Sequence, residues 1–257
     1  MSVDWLDVMI ILDVSKSMLA EDIQDSSWEY SRISTAKSLL WNIVTQNPEN
    51  RYGLVIFAWE AVNVSPLTSD PQIFLNFLSW VDYRNINEQW TDLVAAYTLG
   101  LERFIDDENN WKAVVLVSDW WDEDDSIDTK TIQKLLRDSW TTQTVMGIWT
   151  IEWGKIARWR DIFWVTNYEQ FNGKDVITKL NKKGLESISN LEWWEYYEIS
   201  ALDDIDTISS IFADIEKKSI EKAWWKNTLD ITRYIAFFVF LIFIYFLMIP
   251  IISKKRN

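Results

Sequence analysis

The chain has 257 residues, 48% of them hydrophobic, which is enough for one well-packed core with a short appendage. Its 39 acidic residues exceed its 25 basic ones, and the net charge of −14 argues against a nucleic-acid partner, because phosphate binding needs a basic surface. The absence of cysteine and histidine excludes disulfides, thiol catalysis, Ser-His and Cys-His nucleophile systems, and zinc sites built from those ligands.

Segments of strand character alternate with segments of helical periodicity along the first 220 residues. The predicted strands are 6–12, 52–58, 62–65, 113–118, 144–150 and 196–199. The predicted helices are 33–44, 74–78, 93–104, 132–136, 185–188 and 204–220. Residues 151–175 are polar and turn-rich, so we expect an insertion there, with Asn172-Gly173 as a hairpin turn. The alternation predicts an α/β fold over residues 5–220, with a doubly wound, mostly parallel sheet flanked by helices.

A different kind of segment follows this domain. Residues 234–252 are 19 consecutive uncharged positions, nearly all apolar, and a basic tail at 253–257 comes next. This length matches the hydrocarbon thickness of a bilayer. The alternative, a buried helix of a soluble protein, would rarely be apolar on every face. We therefore predict one transmembrane helix at 234–252, joined to the domain by a linker at 221–233, in a protein of the cell membrane.

The end of the first predicted strand carries the strongest motif. Asp13, Ser15 and Ser17 form a D-x-S-x-S pattern where ligands bind in open α/β sheets. Such side chains can converge on one hard cation, since Mg²⁺ takes oxygen ligands in near-octahedral geometry. The pattern alone also fits an ordinary turn or helix cap. Two further positions favour a metal site, because Thr91 and Asp119 lie on loops that this fold brings to the same edge.

The order of these residues along the chain resembles the metal-ion-dependent adhesion site (MIDAS) of von Willebrand factor type A (VWA) domains. The resemblance covers about residues 5–220 and includes the segments DVMIILDVSKSMLAEDI, RYGLVIFAWEAVNVSPLTSD, QWTDLVAAYTLGL and VVLVSDWWDE. These segments are similar to membrane-anchored bacterial VWA proteins of the BatA/BatB type.

The resemblance implies a Rossmann-like binding module and not an enzyme. Ser15, Ser17 and Thr91 would be hydroxyl ligands of the metal, and Asp13 and Asp119 would bind it directly or through water. The metal would be Mg²⁺, with Mn²⁺ or Ca²⁺ as alternatives, and an acidic side chain of a protein partner would fill its open position. The family context implies a role in envelope assembly or stress tolerance, with a MoxR-type AAA+ ATPase and other VWA proteins as partners.

Two other functions stay open at this point. A metal-dependent phosphoesterase is one, although D-x-S-x-S lacks the second aspartate of D-x-D phosphotransferases and no His, Cys or Lys is placed as a base. A metal-free structural membrane anchor is the other. A rise in melting temperature with Mg²⁺ would separate a metal-binding module from such an anchor.

Basic residues near the predicted span bear on its orientation. Those on its N-terminal side are Lys217, Lys218, Lys222, Lys226 and Arg233, and those on its C-terminal side are Lys254, Lys255 and Arg256. Five basic residues before the span against three after it favour a cytoplasmic domain, because basic residues are enriched on the cytoplasmic side. Family members, however, carry apolar spans ahead of the VWA domain, and the first strand begins almost at residue 1, so we expect missing upstream sequence. For the complete gene product we expect a domain that faces outside, with a cytoplasmic domain as the alternative.

Tryptophan and glycine occur in unusual numbers, 18 and 6. Trp59, Trp90 and Trp120 stand where the family segments have glycine, and the same holds for Trp5, Trp149 and the pair Trp193-Trp194. Glycine suits tight turns and positive φ, and tryptophan does not. We therefore expect that UGA codons of the gene encode glycine but are translated as tryptophan in this sequence. Replacing every tryptophan by glycine would raise the glycine count from 6 to 24. The alternative is an aromatic binding surface made of true tryptophans.

Overall fold

The computed structural model describes residues 6–25, 28–58, 60–86, 92–104, 111–119, 128–148, 154–160, 165–178, 182–189 and 194–200, and isolated positions and one short stretch between 213 and 242. Its contacts divide the chain into two units, residues 1–219 and 220–257.

The first unit contains fourteen described strands and five described helices. The strands are β1 (Leu6–Asp13), β2 (Glu21–Asp25), β3 (Trp28–Ser31), β4 (Arg51–Phe57), β5 (Ala61–Thr68), β6 (Trp111–Ser118), β7 (Thr142–Ile148), β8 (Gly154–Lys155), β9 (Ala157–Arg160), β10 (Thr166–Tyr168), β11 (Gln170–Phe171), β12 (Lys174–Asp175), β13 (Ile177–Thr178) and β14 (Trp194–Ile199). The helices are α1 (Arg32–Gln46), α2 (Pro71–Trp80), α3 (Leu93–Glu102), α4 (Thr129–Asp138) and α5 (Lys182–Ile188).

Six of these strands form the central sheet, in the order β14-β7-β6-β1-β4-β5. Every neighbouring pair is parallel except β4 and β5, which are antiparallel. The predicted α/β fold with a mostly parallel sheet is therefore confirmed. β5 is the edge strand that the sequence predicts at 62–65, but it is longer than predicted.

The central strand β1 is buried on both faces, and all eight of its residues are buried. Val8 and Ile10 belong to the core cluster that α1 and α2 cover, and Met9 and Ile11 belong to the cluster that α3, α4 and α5 cover. A parallel strand between two helical layers needs such a continuous apolar run. The sheet is thus doubly wound, and its middle strands place their carboxyl ends at one shared edge.

Capping residues set where the helices start. Ser31 caps α1 by accepting a hydrogen bond from the Ser34 amide, and Asp70 caps α2, with Pro71 in the first turn. Both helices therefore begin before the residues 33 and 74 at which they were predicted to start, and each also extends two residues beyond its predicted end.

Some elements differ from the predictions. The antiparallel hairpin β2–β3 was not predicted, because its sequence is short and polar. The expected insertion at 151–175 contains the short strands β8 to β12 in its described part, and β13 follows it. Asn172 and Gly173 form the tip of the β11–β12 hairpin, both with positive φ, as the sequence predicts. Trp194, which we placed before the last strand, is instead its first residue and is buried.

The second unit is described only in part. Residues 234–242 are helical, and the described side chains there are exposed although they are apolar. Within the described part of the chain, no helix is both long enough and apolar enough to cross a bilayer. The remainder of the predicted span, 243–252, and the basic tail at 253–257 lie outside the described residues, as do most of 204–220 and of the linker at 221–233.

Candidate metal site

Four of the five predicted site residues meet at the carboxyl edge of the central sheet. Asp13 is the last residue of β1, and Asp119 directly follows β6. β1 and β6 are parallel neighbours, so their carboxyl ends lie side by side. Ser15 and Ser17 follow β1 in the loop above it. The fifth residue, Thr91, lies outside the described residues.

The two serine hydroxyls are brought together by a single 3-10 turn after β1, Lys16–Leu19. Ser15 Oγ lies 2.9 Å from Ser17 Oγ. Ser17 Oγ in turn donates to Asp119 Oδ1 at 2.9 Å, although the two residues are 102 positions apart in the sequence. Three side-chain oxygens from two loops therefore form a short connected row.

The spacing of these oxygens fits a small divalent cation. In an octahedral site with metal–oxygen distances of 2.0–2.1 Å, adjacent ligand oxygens are about 2.9 Å apart, which is that distance multiplied by √2. Both oxygen–oxygen distances of the row have this value. Ser15, Ser17 and Asp119 are all buried, so the row is held by its surroundings.

Asp13 is fixed from two sides at the base of the site. Its Oδ1 accepts from the Ser15 amide at 2.8 Å, and its Oδ2 accepts from Ser118 Oγ at 2.5 Å. Ser118 is the last residue of β6, so the hydrogen bond joins the ends of the two central strands. Both Asp13 and Ser118 are fully buried.

Arg32 is a member of the site that sequence reasoning missed. Its Nη1 donates to Asp119 Oδ2 at 2.6 Å, and its Nε and Nη2 donate to the carboxylate of Asp22 on β2. A weak signal was available: Arg32 is the first residue of α1, where the helix dipole disfavours a cation. The partner of such an arginine, however, cannot be inferred from local sequence.

Burial controls the electrostatics of the carboxylates. Burial, together with the charge of Asp119, raises the pKa of Asp13 to about 7. Burial also raises the pKa of Asp119, although Arg32 and the Ser17 hydroxyl oppose this shift. Burial lowers the pKa of Arg32, but the charges and hydrogen bonds of Asp119 and Asp22 outweigh it and raise the pKa above its ordinary value. The guanidinium therefore stays charged.

Asp92, the residue after Thr91, is anchored at the carboxyl edge of the sheet. The Asp92 amide donates to the Ala58 carbonyl at 2.9 Å, directly after β4, and the Asp92 side chain caps α3 through the Ala95 amide. α3 therefore begins at the carboxyl edge of the sheet, as the predicted ligand order requires. The acidic residues 122–125, which we interpret as a solvated loop, lie outside the described residues.

The described residues contain no group of three or more His, Cys, Asp or Glu side chains able to hold a metal. The predicted ligand set has only two carboxylates, Asp13 and Asp119, and its other donors are hydroxyls. Such a set suits hard cations, which accept neutral oxygen ligands and water.

One protein-family model matches part of the chain. Residues 8–121 match the von Willebrand factor type A domain. This region of the chain is therefore similar to a VWA domain. The matched residues include the D-x-S-x-S motif, Thr91 and Asp119. No curated protein matches the chain in sequence.

Solved structures show the same VWA fold. The BatB protein of Bacteroides thetaiotaomicron is similar with a TM-score of 0.72 and 23% identity, over 83% of this chain and 98% of that one. An aerotolerance-related membrane protein of Bacteroides fragilis NCTC 9343 is similar with a TM-score of 0.71 and 25% identity, over 82% and 99%. The resemblance of this VWA protein to the BatA/BatB type is thereby confirmed.

A more distant neighbour also shares the fold. Proximal thread matrix protein 1 from the mussel byssus, in a structure with a zinc-occupied MIDAS motif, has a TM-score of 0.57 and 13% identity, over 83% of this chain and 48% of that one. At this identity the likeness extends to the fold alone.

Proposed function

We propose that this VWA domain is a binding module that holds one divalent cation, Mg²⁺ or Mn²⁺, and through it an acidic group of a protein partner. The observation that carries this proposal is that the Ser15, Ser17 and Asp119 side-chain oxygens meet at one buried point of the carboxyl edge of the sheet. We include Thr91 in the ligand set because the resemblance to the family implies it. A cation held there would offer an open coordination position to a carboxylate.

The site residues would contribute to cation binding in different ways. Ser15 and Ser17 supply neutral hydroxyls, and Asp119 supplies one carboxylate oxygen beside them. Asp13, held by Ser118 and by the Ser15 amide, supplies the second negative charge and orients the serine loop. Because the ligand set contains only two carboxylates, a divalent cation neutralises them and leaves no excess negative charge to repel an acidic partner.

We propose a binding role and not an enzymatic one. Among the described residues, the polar side chains that contact the site are serines, aspartates, Arg32 and, beside Arg32, Thr178. None of these pairs a nucleophile with a neutral base in the arrangement that nucleophilic catalysis needs.

Isothermal titration of the full-length chain with Mn²⁺ tests the metal site. Wild type is expected to bind one ion, Asp13→Ala and Asp119→Ala to lose binding, and Ser15→Ala to weaken it less because a neutral hydroxyl contributes less than a carboxylate. Asp70→Ala is the matched control, since Asp70 is an exposed helix cap on α2. Equal heats for wild type, Asp13→Ala and Asp119→Ala would overturn the metal site.

We further propose that the chain is anchored in the cell membrane by one helix at 234–252. The exposed apolar side chains of residues 234–242 support this, because such a surface is costly in water. The similar Bacteroides fragilis protein is described as a membrane protein. We propose that the domain faces outside, where envelope partners would reach the site.

Protease added to intact spheroplasts tests the orientation. Digestion of the domain without detergent is expected for an outward-facing domain. Survival of the domain until detergent is added would place it in the cytoplasm, and recovery in the soluble fraction after lysis would overturn the anchor.

The cellular process is proposed from the relatives. One similar structure belongs to an aerotolerance-related protein, and we propose a role in envelope assembly or stress tolerance. The proposed partners are a MoxR-type AAA+ ATPase and other VWA proteins, each offering an acidic group. Crosslinking in cells, with Asp119→Ala as the control, is expected to capture such a partner only in the wild type.

We propose that the tryptophan excess reflects UGA codons that encode glycine, and the end of α4 supports this. The Trp140 amide donates to the Arg137 carbonyl and the Thr141 amide to the Leu136 carbonyl, both at 3.1 Å, which is a Schellman motif. Trp140 has φ 54°. Glycine is the usual residue at this left-handed position, because a Cβ is strained there.

The coding triplets decide this proposal. TGA at position 140 and at the family glycine positions 59, 90 and 120 is expected, and TGG at these positions would overturn it. Residues Trp5, Trp59, Trp90, Trp120, Trp149 and Trp193 lie outside the described residues.

A further inference from the structure

Arg32 is a buried cation beside the candidate metal site that the predicted ligand set leaves unused. Its side chain is fully buried, as is that of Asp119, and the side chain of Asp22 is 6% exposed. A buried guanidinium is costly unless its donors are satisfied. Here one edge of the guanidinium binds Asp22, while Nη1 binds Asp119 at 2.6 Å.

The insertion encloses this arginine. Nη1 of Arg32 also lies 3.4 Å from Thr178 Oγ1 on β13. Gly154 on β8 packs so closely that a Cβ there would lie 2.7 Å from Asp22 Oδ2 and 2.8 Å from Arg32 Nη2. The hairpin β2–β3 and the pair β8–β13 therefore keep the guanidinium in place and exclude water from it.

The hydrogen bonds of Arg32 also orient Asp119. Oδ2 of Asp119 is held by Arg32, so Oδ1 is the oxygen that faces the Ser17 hydroxyl. Oδ1 of Asp119 therefore contacts the serine row, and Oδ2 binds Arg32, which holds the carboxylate in this orientation.

We propose that Arg32 is the positioning residue of the site and sets the charge that an acidic partner meets. This inference rests on the proposed function. When a cation is bound and its carboxylate ligands are ionised, Asp13, Asp22 and Asp119 carry three negative charges, and Arg32 carries one positive charge. A divalent cation then brings the formal charge of the site to zero. Without Arg32 the same loaded site would carry one negative charge and would repel a carboxylate.

Two opposite charge changes test this role in the full-length chain. Mn²⁺ binding is measured by isothermal titration, and acetate binding to the Mn²⁺-loaded chain by paramagnetic relaxation of ¹³C-acetate. Arg32→Gln is expected to bind Mn²⁺ more tightly and acetate more weakly, each on the order of tenfold. Asp22→Asn is expected to shift both affinities the other way. Arg32→Lys keeps the charge but has one nitrogen in place of the guanidinium fork, so both affinities should lie between those of wild type and Arg32→Gln.

Arg51→Gln is the matched control. Arg51 makes a similar two-bond pair with buried Asp7, but at the amino end of β1, so neither affinity should change. If Arg32→Gln does not fold, Asp22→Asn alone decides, because it leaves the guanidinium in place.

The outcomes separate the two proposals. Mn²⁺ and acetate affinities that move in opposite directions in the variants support the role of Arg32. If wild type binds Mn²⁺ but the two affinities fall together or stay constant in the folded variants, the inference about Arg32 is overturned and the proposed function stands. If wild type binds no Mn²⁺, the proposed function is overturned and this inference with it.

Discussion

Asp13 shows how a single residue can make the stability of the metal-free domain depend on pH. Its carboxyl is fully buried, and burial raises its pKa from 3.8 to about 7. The folded chain therefore holds this proton more tightly than the unfolded chain. The resulting contribution to stability is fully present below the unfolded pKa and is lost as the pH rises through about 7.

The corresponding prediction compares wild type with Asp13→Asn, which stays neutral at every pH. The free energy of unfolding of metal-free wild type should fall relative to the variant between about pH 4 and pH 8. Urea unfolding at several pH values measures the difference. A difference that stays constant over this range would contradict the raised pKa.

A second residue-scale prediction concerns Trp140, whose left-handed backbone strains any Cβ. Trp140→Gly should stabilise the chain by about 1 kcal/mol. Trp41→Gly is the control, because Trp41 lies within α1 and is also partly exposed, and glycine inside a helix should destabilise by about 0.5–1 kcal/mol. Thermal unfolding gives both values. Destabilisation by both substitutions would argue against a glycine position at 140.

At the scale of elements, α3 packs on β1 but buries one polar atom at a cost. Tyr97 is fully buried in the core cluster of α3, α4 and α5, and its hydroxyl has no hydrogen-bond partner among the described residues. Burial accordingly raises its pKa above the ordinary value. A buried hydroxyl without a partner weakens the packing of its helix.

Tyr97→Phe is therefore expected to raise the free energy of unfolding by about 1 kcal/mol. Tyr52→Phe is the matched control, because the Tyr52 hydroxyl donates to the Asn47 carbonyl at 2.8 Å. The control should lower stability by about 1 kcal/mol. Chemical denaturation distinguishes the two signs, and a loss of stability in Tyr97→Phe would show that its hydroxyl is satisfied.

At the scale of the whole molecule, the sheet topology makes the site and the fold depend on one another. Asp13 closes β1, Asp119 follows β6, and the two strands are parallel neighbours in the centre of the sheet. The two carboxylates lie close together only when this sheet has formed. A cation that uses both of them therefore binds the folded chain and not the unfolded chain.

Saturating Mn²⁺ should accordingly raise the melting temperature of wild type, with a stabilisation of about 2.7 kcal/mol at one hundred times the dissociation constant. Asp119→Asn should show no rise, and calcium can be tested in the same way for metal preference. A melting temperature that Mn²⁺ leaves unchanged in wild type would favour a metal-free anchor.

The sequence by itself determined the alternation of strands and helices, the D-x-S-x-S motif at the end of β1 and the position of Asp119 after β6. These features are local, because strand periodicity and the residues that follow a strand can be read within a few positions. The same holds for the Asn172-Gly173 turn. The sequence predicted less well where α1 and α2 begin and end, and it did not predict the hairpin β2–β3. Caps and short polar strands give only weak local patterns.

Only the tertiary structure decided which side chains hold the site together. Ser118 reaches Asp13 across 105 positions, and Arg32 reaches Asp119 across 87, through contacts that exist only when β1, β6 and α1 pack at one edge. A buried arginine is stable only if its carboxylate partners are already in place, so its role depends on the assembled fold. Residue type and spacing predicted the oxygen ligands, whereas only the long-range packing of the sheet placed the charge of Arg32 beside Asp119.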